Sequence, residues 1–130
     1  MKSFITHRRA AFDFELLETY DSGLELLGTE VKAIRAGQGR LEGAHVIVRG
    51  GEAYLVGMTI PPYQATNTKK EYEPDRTRRL LMKKQEIALL SEAESKKGLT
   101  IVPIEVYNNR YIKVRVAIVR GKGKADRRED

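Results

Sequence analysis

The chain has 130 residues, 41% of them hydrophobic, which is enough to close one core around one domain and too much for a wholly disordered chain. It contains no cysteine and two histidines, so disulfides and thiolate metal sites are excluded. The formal net charge is +6, and residues 110–130 alone hold eight basic and three acidic side chains, an imbalance that favours a polyanionic partner.

The opening carries His7, Arg8 and Arg9 and then alternates Phe12, Phe14 and Leu16 with Asp13 and Glu15, which reads as a half-buried strand entered from a basic arm. No apolar stretch reaches the roughly 18–20 residues of a membrane span, and the first residues lack a signal-peptide core, so a soluble cytoplasmic protein is expected. Asp21-Ser22-Gly23 is a turn signal, and Leu24-Glu25-Leu26 restarts a strand. Thr29 is placed to cap a short helix over Glu30–Ala36, closed by Gly37, with Val31 and Ile34 buried and Lys32 facing out. Gly50-Gly51 marks a two-residue hairpin pairing Arg49 with Glu52, Val48 with Ala53 and Val46 with Leu55.

Residues 61–75, which begin at Pro61-Pro62 and are polar from Gln64 to Asp75, are expected to form a mobile excursion. Arg76–Lys84 fits a strand by alternation, and its composition also allows a helix. From Lys84 to Lys97 the period becomes helical, with Ile87 and Leu90 on one stripe, and Gly98 stops it.

The stretch Leu99–Lys124 organises the chain. It reads as two strands, the second leading into a basic tail. Ile112, Val114, Val116 and Ile118 form one row of the second strand, and Tyr111, Lys113, Arg115, Ala117 and Val119 form the other. Parity selects a three-residue loop, Asn108, Asn109 and Arg110, which sets Val106 opposite Ile112 and turns both apolar rows to one core. Pro103 removes a ladder donor and signals an edge or a bulge. Pattern alone favours a mainly β fold: a small closed antiparallel barrel of the oligonucleotide-binding type with short flanking helices, ahead of a small α+β sandwich.

No catalytic constellation is visible. His45 and His7 have no partner at metal-ligating spacing, and Gly37-x-Gly39 and Gly121-x-Gly123 lack the neighbours of a phosphate loop. The chemistry that is visible is cationic: Arg8 and Arg9 near the start, Lys113 and Arg115 on a strand face, and Arg120, Lys122, Lys124, Arg127 and Arg128 after it. Lysine offers a point charge to phosphate, and arginine adds a planar fork that stacks on bases. Tyr111 and Tyr63 are candidate stacking groups, while Phe12 reads as core.

Six strings carry a resemblance: Ala10–Phe14, Glu18–Gly23, Gly28–Gly37, Arg76–Leu81, Gly98–Pro103 and the closing Arg120-Gly121-Lys122 with Asp126–Asp130. In order and spacing they resemble the SmpB family of bacterial SsrA-binding proteins across essentially the whole chain. The resemblance implies an RNA-binding barrel over residues 1–120 and the start of a basic, flexible tail over 121–130. It implies no enzyme activity and no cofactor. It also implies binding to the tRNA-like domain of transfer-messenger RNA during trans-translation, with the ribosome and elongation factor Tu as partners and a monomer when alone.

The family's RNA contacts fall on His7, Asp21, Leu81, Lys113, Arg120, Gly121 and Lys122. With the charge-derived Arg8, Arg9, Arg115 and Lys124, and with Glu30 and Lys32 of the specific Gly-Thr-Glu-Val-Lys block, these make the candidate RNA-binding set. The family's decoding-centre contacts fall on Ala125, Asp126, Arg127 and Arg128. The chain departs from the family at His7, usually Asn, at Gly123, usually Lys, and at Ala125, often His or aromatic. The family tail continues as a basic segment past the position of Asp130, so the chain reads as either truncated or naturally short. A ribosomal or RNA-chaperone barrel that binds RNA generally is the alternative.

Overall fold

The computed structural model describes residues 2–63 and 71–122. Its elements follow in the order β1 (Lys2–Thr6), α1 (Ala10–Asp13), β2 (Phe14–Leu24), α2 (Gly28–Arg35), β3 (His45–Arg49), β4 (Glu52–Val56), β5 (Arg78–Leu81), α3 (Lys84–Glu94), β6 (Leu99–Asn109) and β7 (Tyr111–Gly121). The strands form one antiparallel sheet in the order β1-β6-β7-β2-β5-β4-β3, flanked by the helices. The fold is therefore mainly β with flanking helices, as the pattern suggested, but the sheet is not hydrogen-bonded into a closed barrel. The reason lies on β6. Its outer edge is held by β1, from Lys2 opposite Asn108 to Thr6 opposite Glu105, and Pro103 supplies no donor there. The sheet instead curls until β3 packs against β6, with α3 against both.

The β6–β7 hairpin turns on one residue. Asn109 pairs with Tyr111, and Arg110 between them takes φ +67°. Val106 therefore lies opposite Val114, and Ile112 opposite Asn108, two residues from the expected Val106–Ile112 register. The parity survives, because a shift of two keeps every side chain on its face. Further along, the register slips between Pro103 and Glu105. This bulge changes which face of β6 is buried in the main core, so Ile101 and Val106 share that core, while Val102 packs with Ala117 and Val119 in a second cluster under Phe14 and Ile104. The back of β7 is cationic only in its first half.

Asp21-Ser22-Gly23 makes no turn. The long β7 partner draws it into an extended ladder, Asp21 opposite Arg115, Ser22 opposite Val114 and Gly23 opposite Lys113. The expected first strand is interrupted by the single turn of α1, which buries Ala10 and leaves Phe12 43% exposed, so Phe12 is not core. Helix α2 starts earlier than expected, with Leu27 as its cap. The Leu27 N–H donates to the Glu30 carboxylate at 2.8 Å, and Thr29 lies inside the helix. The Gly50-Gly51 hairpin has the predicted register, the segment before α3 is a strand, and α3 ends at Glu94 before Gly98 at φ +86°. Ile34, Leu41, Leu55, Ile60, Leu80, Leu90 and Val114 are fully buried, each contributing about 1.5–3 kcal/mol of apolar transfer. No helix among the described residues is long and apolar enough to cross a membrane.

Candidate nucleic-acid interface

The sheet sorts the candidate residues into two groups on β7 and its neighbours. At the start of β7, Lys113 lies opposite Gly23 of β2, and Gly23 in turn lies opposite Leu81 of β5. A side chain at Gly23 would press on Leu81, whose Cβ sits 3.2 Å from the position a Cβ would take. Gly23, Leu81, Lys113 and the 69% exposed Tyr111 border an open groove of about 500 Å³, closed on one side by Val31 and Arg35 of α2. Lys113 makes no hydrogen bond or ion pair among the described residues. Its ammonium is therefore available to an incoming anion. Leu81, 51% exposed, and Tyr111 offer apolar and aromatic surface beside it, the combination that holds unstacked nucleotides.

Arg115 belongs to the same face but is not equally available. Its Nε donates to Asp21 Oδ1 at 3.1 Å and its Nη1 to Glu105 Oε1 at 3.1 Å, and its guanidinium lies 5.1 Å above the Tyr107 ring. Burial first, then the hydrogen bond and charge of Asp21, push the Tyr107 phenol up to about 12, so it stays a neutral donor. Asp21 and Arg115 thus form a preset pair beside Lys113. The exposed Asp21 carboxylate is an acceptor, and Arg115 turns an aromatic-stacked edge toward solvent.

The second group gathers at the far end of β7, roughly 23 Å from Lys113 to Arg120 along the strand. Arg120 pairs with Glu15 at 3.3 Å. The Lys122 ammonium donates to the Ala11 carbonyl at 3.0 Å, and its N–H donates to the Asp13 carbonyl, which ties the exit of β7 to α1. Arg9 stacks on Phe12 at 4.5 Å and lies 3.6 Å from Asp13. Arg8 is exposed, Gly121 is exposed opposite Phe14, and Lys32 is exposed on α2 and does not line the groove. Lys124, Ala125, Asp126, Arg127 and Arg128 lie outside the described residues, as do the centre of the expected 61–75 excursion and most of the tail.

Two candidates are placed inward. His7 is buried, with Nδ1 3.3 Å from the Pro103 carbonyl and its ring edge-on to Phe14 at 6.2 Å. Glu30 is 1% exposed and is the centre of a buried ion network. Its Oε2 accepts from Arg78 Nη2 at 2.7 Å, Arg78 Nε at 3.0 Å, Arg76 Nε at 2.9 Å and the Tyr72 hydroxyl at 3.0 Å. Burial pushes the carboxyl up, but the hydrogen bonds of Arg76, the Leu27 N–H and Arg78, with the Arg78 charge, outweigh it and hold the pKa down at about 2. Arg78, itself fully buried, also donates to the Met58 and Pro74 carbonyls. Both His7 and Glu30 are turned away from the groove surface. Glu30 instead fastens α2, one wall of the groove, to the segment leading into β5.

Sequence reasoning missed Arg35 and Gly23 as groove residues. The signal for Arg35 was present, since it follows Val31 by four and shares its face of α2. Gly23 read as a turn glycine because its strand context comes from β7 and β5, both distant in sequence. Among the described residues no group of three or more His, Asp or Glu is arranged to hold a metal ion.

A family model described as SmpB protein matches residues 4–130. An SsrA-binding protein of Thermosynechococcus vestitus is 44% identical over 131 residues, covering all of this chain and 86% of the relative. One from Nostoc punctiforme is 42% identical over 130 residues, covering 99% of this chain and 84% of the relative. A solved chain reported as "tmRNA-SmpB: a journey to the center of the bacterial ribosome" superposes with a TM-score of 0.77 at 39% identity, over 96% of this chain and 92% of that one.

Proposed function

The chain belongs to the SmpB family of SsrA-binding proteins, and from that membership we propose that it binds the tRNA-like domain of transfer-messenger RNA and helps bring it to stalled ribosomes in trans-translation. The observation that carries this reading is the match to SsrA-binding proteins along residues 4–130, where the motifs, and not charge alone, agree. The groove geometry supports it. Unpaired Lys113 offers phosphate contact, exposed Leu81 and Tyr111 offer base or ribose contact, and the Asp21 carboxylate accepts a hydrogen bond, for which a ribose 2′-hydroxyl is a suitable donor.

The protein acts by binding, in place of a missing anticodon arm, and forms no bond itself. The curled sheet is read as an oligonucleotide-binding barrel over residues 1–120 that has exchanged one closing ladder for β1. Arg120 leads into the basic segment of residues 121–130, which Gly121 and Lys122 start. Lys124 continues its phosphate contacts, and Ala125, Asp126, Arg127 and Arg128 approach the decoding region of the small subunit. Elongation factor Tu shares the complex, and the protein works in the cytoplasm as a monomer. Electrophoretic competition at physiological salt tests the reading. A tRNA-like RNA with an intact elbow should displace bound probe at much lower concentration than an unstructured RNA of equal length. Equal competition would instead identify a general RNA-binding sheet.

A further inference from the structure

Arg115 stands between two acids contributed by its neighbouring strands. The ladders of β7 set it opposite Asp21 of β2 on one side and opposite Glu105 of β6 on the other. The partnership with Glu105 is made by the bulge in β6. A regular ladder continued from Pro103 opposite Val116 would bring Ile104 across from Arg115, and the extra residue brings Glu105 there instead. Residues directly opposite share a face of the sheet, so Asp21, Arg115 and Glu105 form one row across it. Lys113 lies two residues along the same strand, roughly 7 Å away, and therefore on the same face, in the adjacent row between Gly23 and Tyr107.

The row is held from the inside outward. Arg115 donates from Nε to Asp21 and from Nη1 to Glu105, both at 3.1 Å, and its guanidinium lies 5.1 Å from the centre of the Tyr107 ring. Its planar fork thus has two carboxylates at its edge and an aromatic ring against its face, an arrangement that lysine does not reproduce. The side chain of Glu105 is 19% exposed, that of Arg115 32% and that of Asp21 51%. The inner acid holds the cation, and the cation holds the outer acid. Arg115 faces two negative charges and has no surplus for phosphate, which Lys113 supplies in the next row. A carboxylate on a phosphate-binding face repels the ligand unless a cation offsets it, and an ionised carboxylate is an acceptor only. The ribose 2′-hydroxyl is a donor that RNA has and DNA lacks. We propose that Arg115 is a positioning residue: anchored by Glu105 and Tyr107, it fixes and offsets Asp21 so that this carboxylate accepts a hydrogen bond from a ribose 2′-hydroxyl, and the row reads ribose while Lys113 takes phosphate. The inference rests on the RNA reading above and gives Arg115 a role other than the phosphate contact its charge suggests.

The test titrates the 130-residue chain with tRNA-like-domain RNA, all-ribose and with single 2′-deoxy substitutions scanned through its elbow loops, with thermal melts of every variant. The parent should lose about 10-fold in affinity at one or two positions, the worth of a hydrogen bond to a charged acceptor. In Arg115→Met and in Asp21→Ala that penalty should fall below about 3-fold. Arg115→Lys should not restore it, because an ammonium keeps the charge without holding both carboxylates. Glu105→Gln should lower it as well, although removing a negative charge would by charge alone tighten binding. Lys113→Ala should weaken binding to every RNA and leave the penalty at its parental value. The row is partly exposed, so the variants should melt within about 5 °C of the parent, and if Arg115→Met melts lower, Arg115→Gln replaces it. A parent with no 2′-deoxy penalty, or an Arg115→Met protein that keeps the penalty in full, overturns the positioning role. Arg115→Lys matching the parent in both affinity and penalty overturns it too and returns Arg115 to a simple charge contact. If the parent does not prefer tRNA-like RNA to unstructured RNA, the functional reading fails separately. The affinity ratio between an unstructured oligoribonucleotide and its all-deoxy counterpart then still decides the role of Arg115, since a ratio unchanged by Arg115→Met overturns it.

Discussion

Replacing Glu30 by alanine should destabilise the protein by about 3–5 kcal/mol, the cost of leaving a buried cation without its counter-charge. The structure explains why the figure is large for a single carboxylate. Arg78 has no exposed surface, and two of its nitrogens bond Glu30. Its remaining contacts are backbone carbonyls and the Tyr72 hydroxyl, which solvate the cation without neutralising it. The same contacts set the pKa, which leads to a figure of the same order. A carboxyl held at about 2 against 4.5 when unperturbed corresponds to roughly 3 kcal/mol of linkage. Because the folded value lies below the unfolded one, this contribution is complete above about pH 4.5 and is lost progressively as the pH falls toward 2. Thermal melts at pH 7 and pH 3 should therefore show Glu30→Ala about 10–20 °C below the parent at neutrality, with the gap narrowing in acid. Glu30→Gln should lie between the two, since the amide keeps an acceptor but no charge. Glu30→Leu combined with Arg78→Met should recover much of the loss by removing both charges. A Glu30→Ala protein that melts within 2 °C of the parent, with the same gap at both pH values, would refute the assignment of this network to the fold.

The same strand allows a cleaner separation of fold from binding. Val114→Ala, at a fully buried position, should lose about 1–3 kcal/mol and leave RNA affinity unchanged while folded, whereas the neighbouring Lys113→Ala should melt within about 0.5 kcal/mol of the parent and lower the salt slope by about one unit, as measured by denaturation and RNA titration. Arg110→Gly should stabilise the hairpin by up to about 1 kcal/mol in urea denaturation, because glycine takes φ +67° without the steric cost arginine bears there.

What the chain determined by itself was local. The Gly50-Gly51 register, the helix from Lys84 and the parity of the β6–β7 hairpin all follow from period and turn chemistry acting over a few residues, and the structure keeps them. The motif strings likewise identified the family, because those residues keep their places in the pattern. The tertiary structure decided everything that depends on a distant partner. Asp21-Ser22-Gly23 has a turn's composition but is extended, because β7 offers it a continuous ladder and each backbone donor paired there outweighs a weak local preference. The bulge beside Pro103 and the strand β1 on β6 decided that the sheet would curl without closing. Glu30 reads as an ordinary helix-start acid, and only the arrival of Arg76 and Arg78 from 46 and 48 residues away makes it a buried hub. Charge and hydropathy are properties of a residue, but burial and pairing are properties of where the chain returns, and no period in the sequence encodes that return.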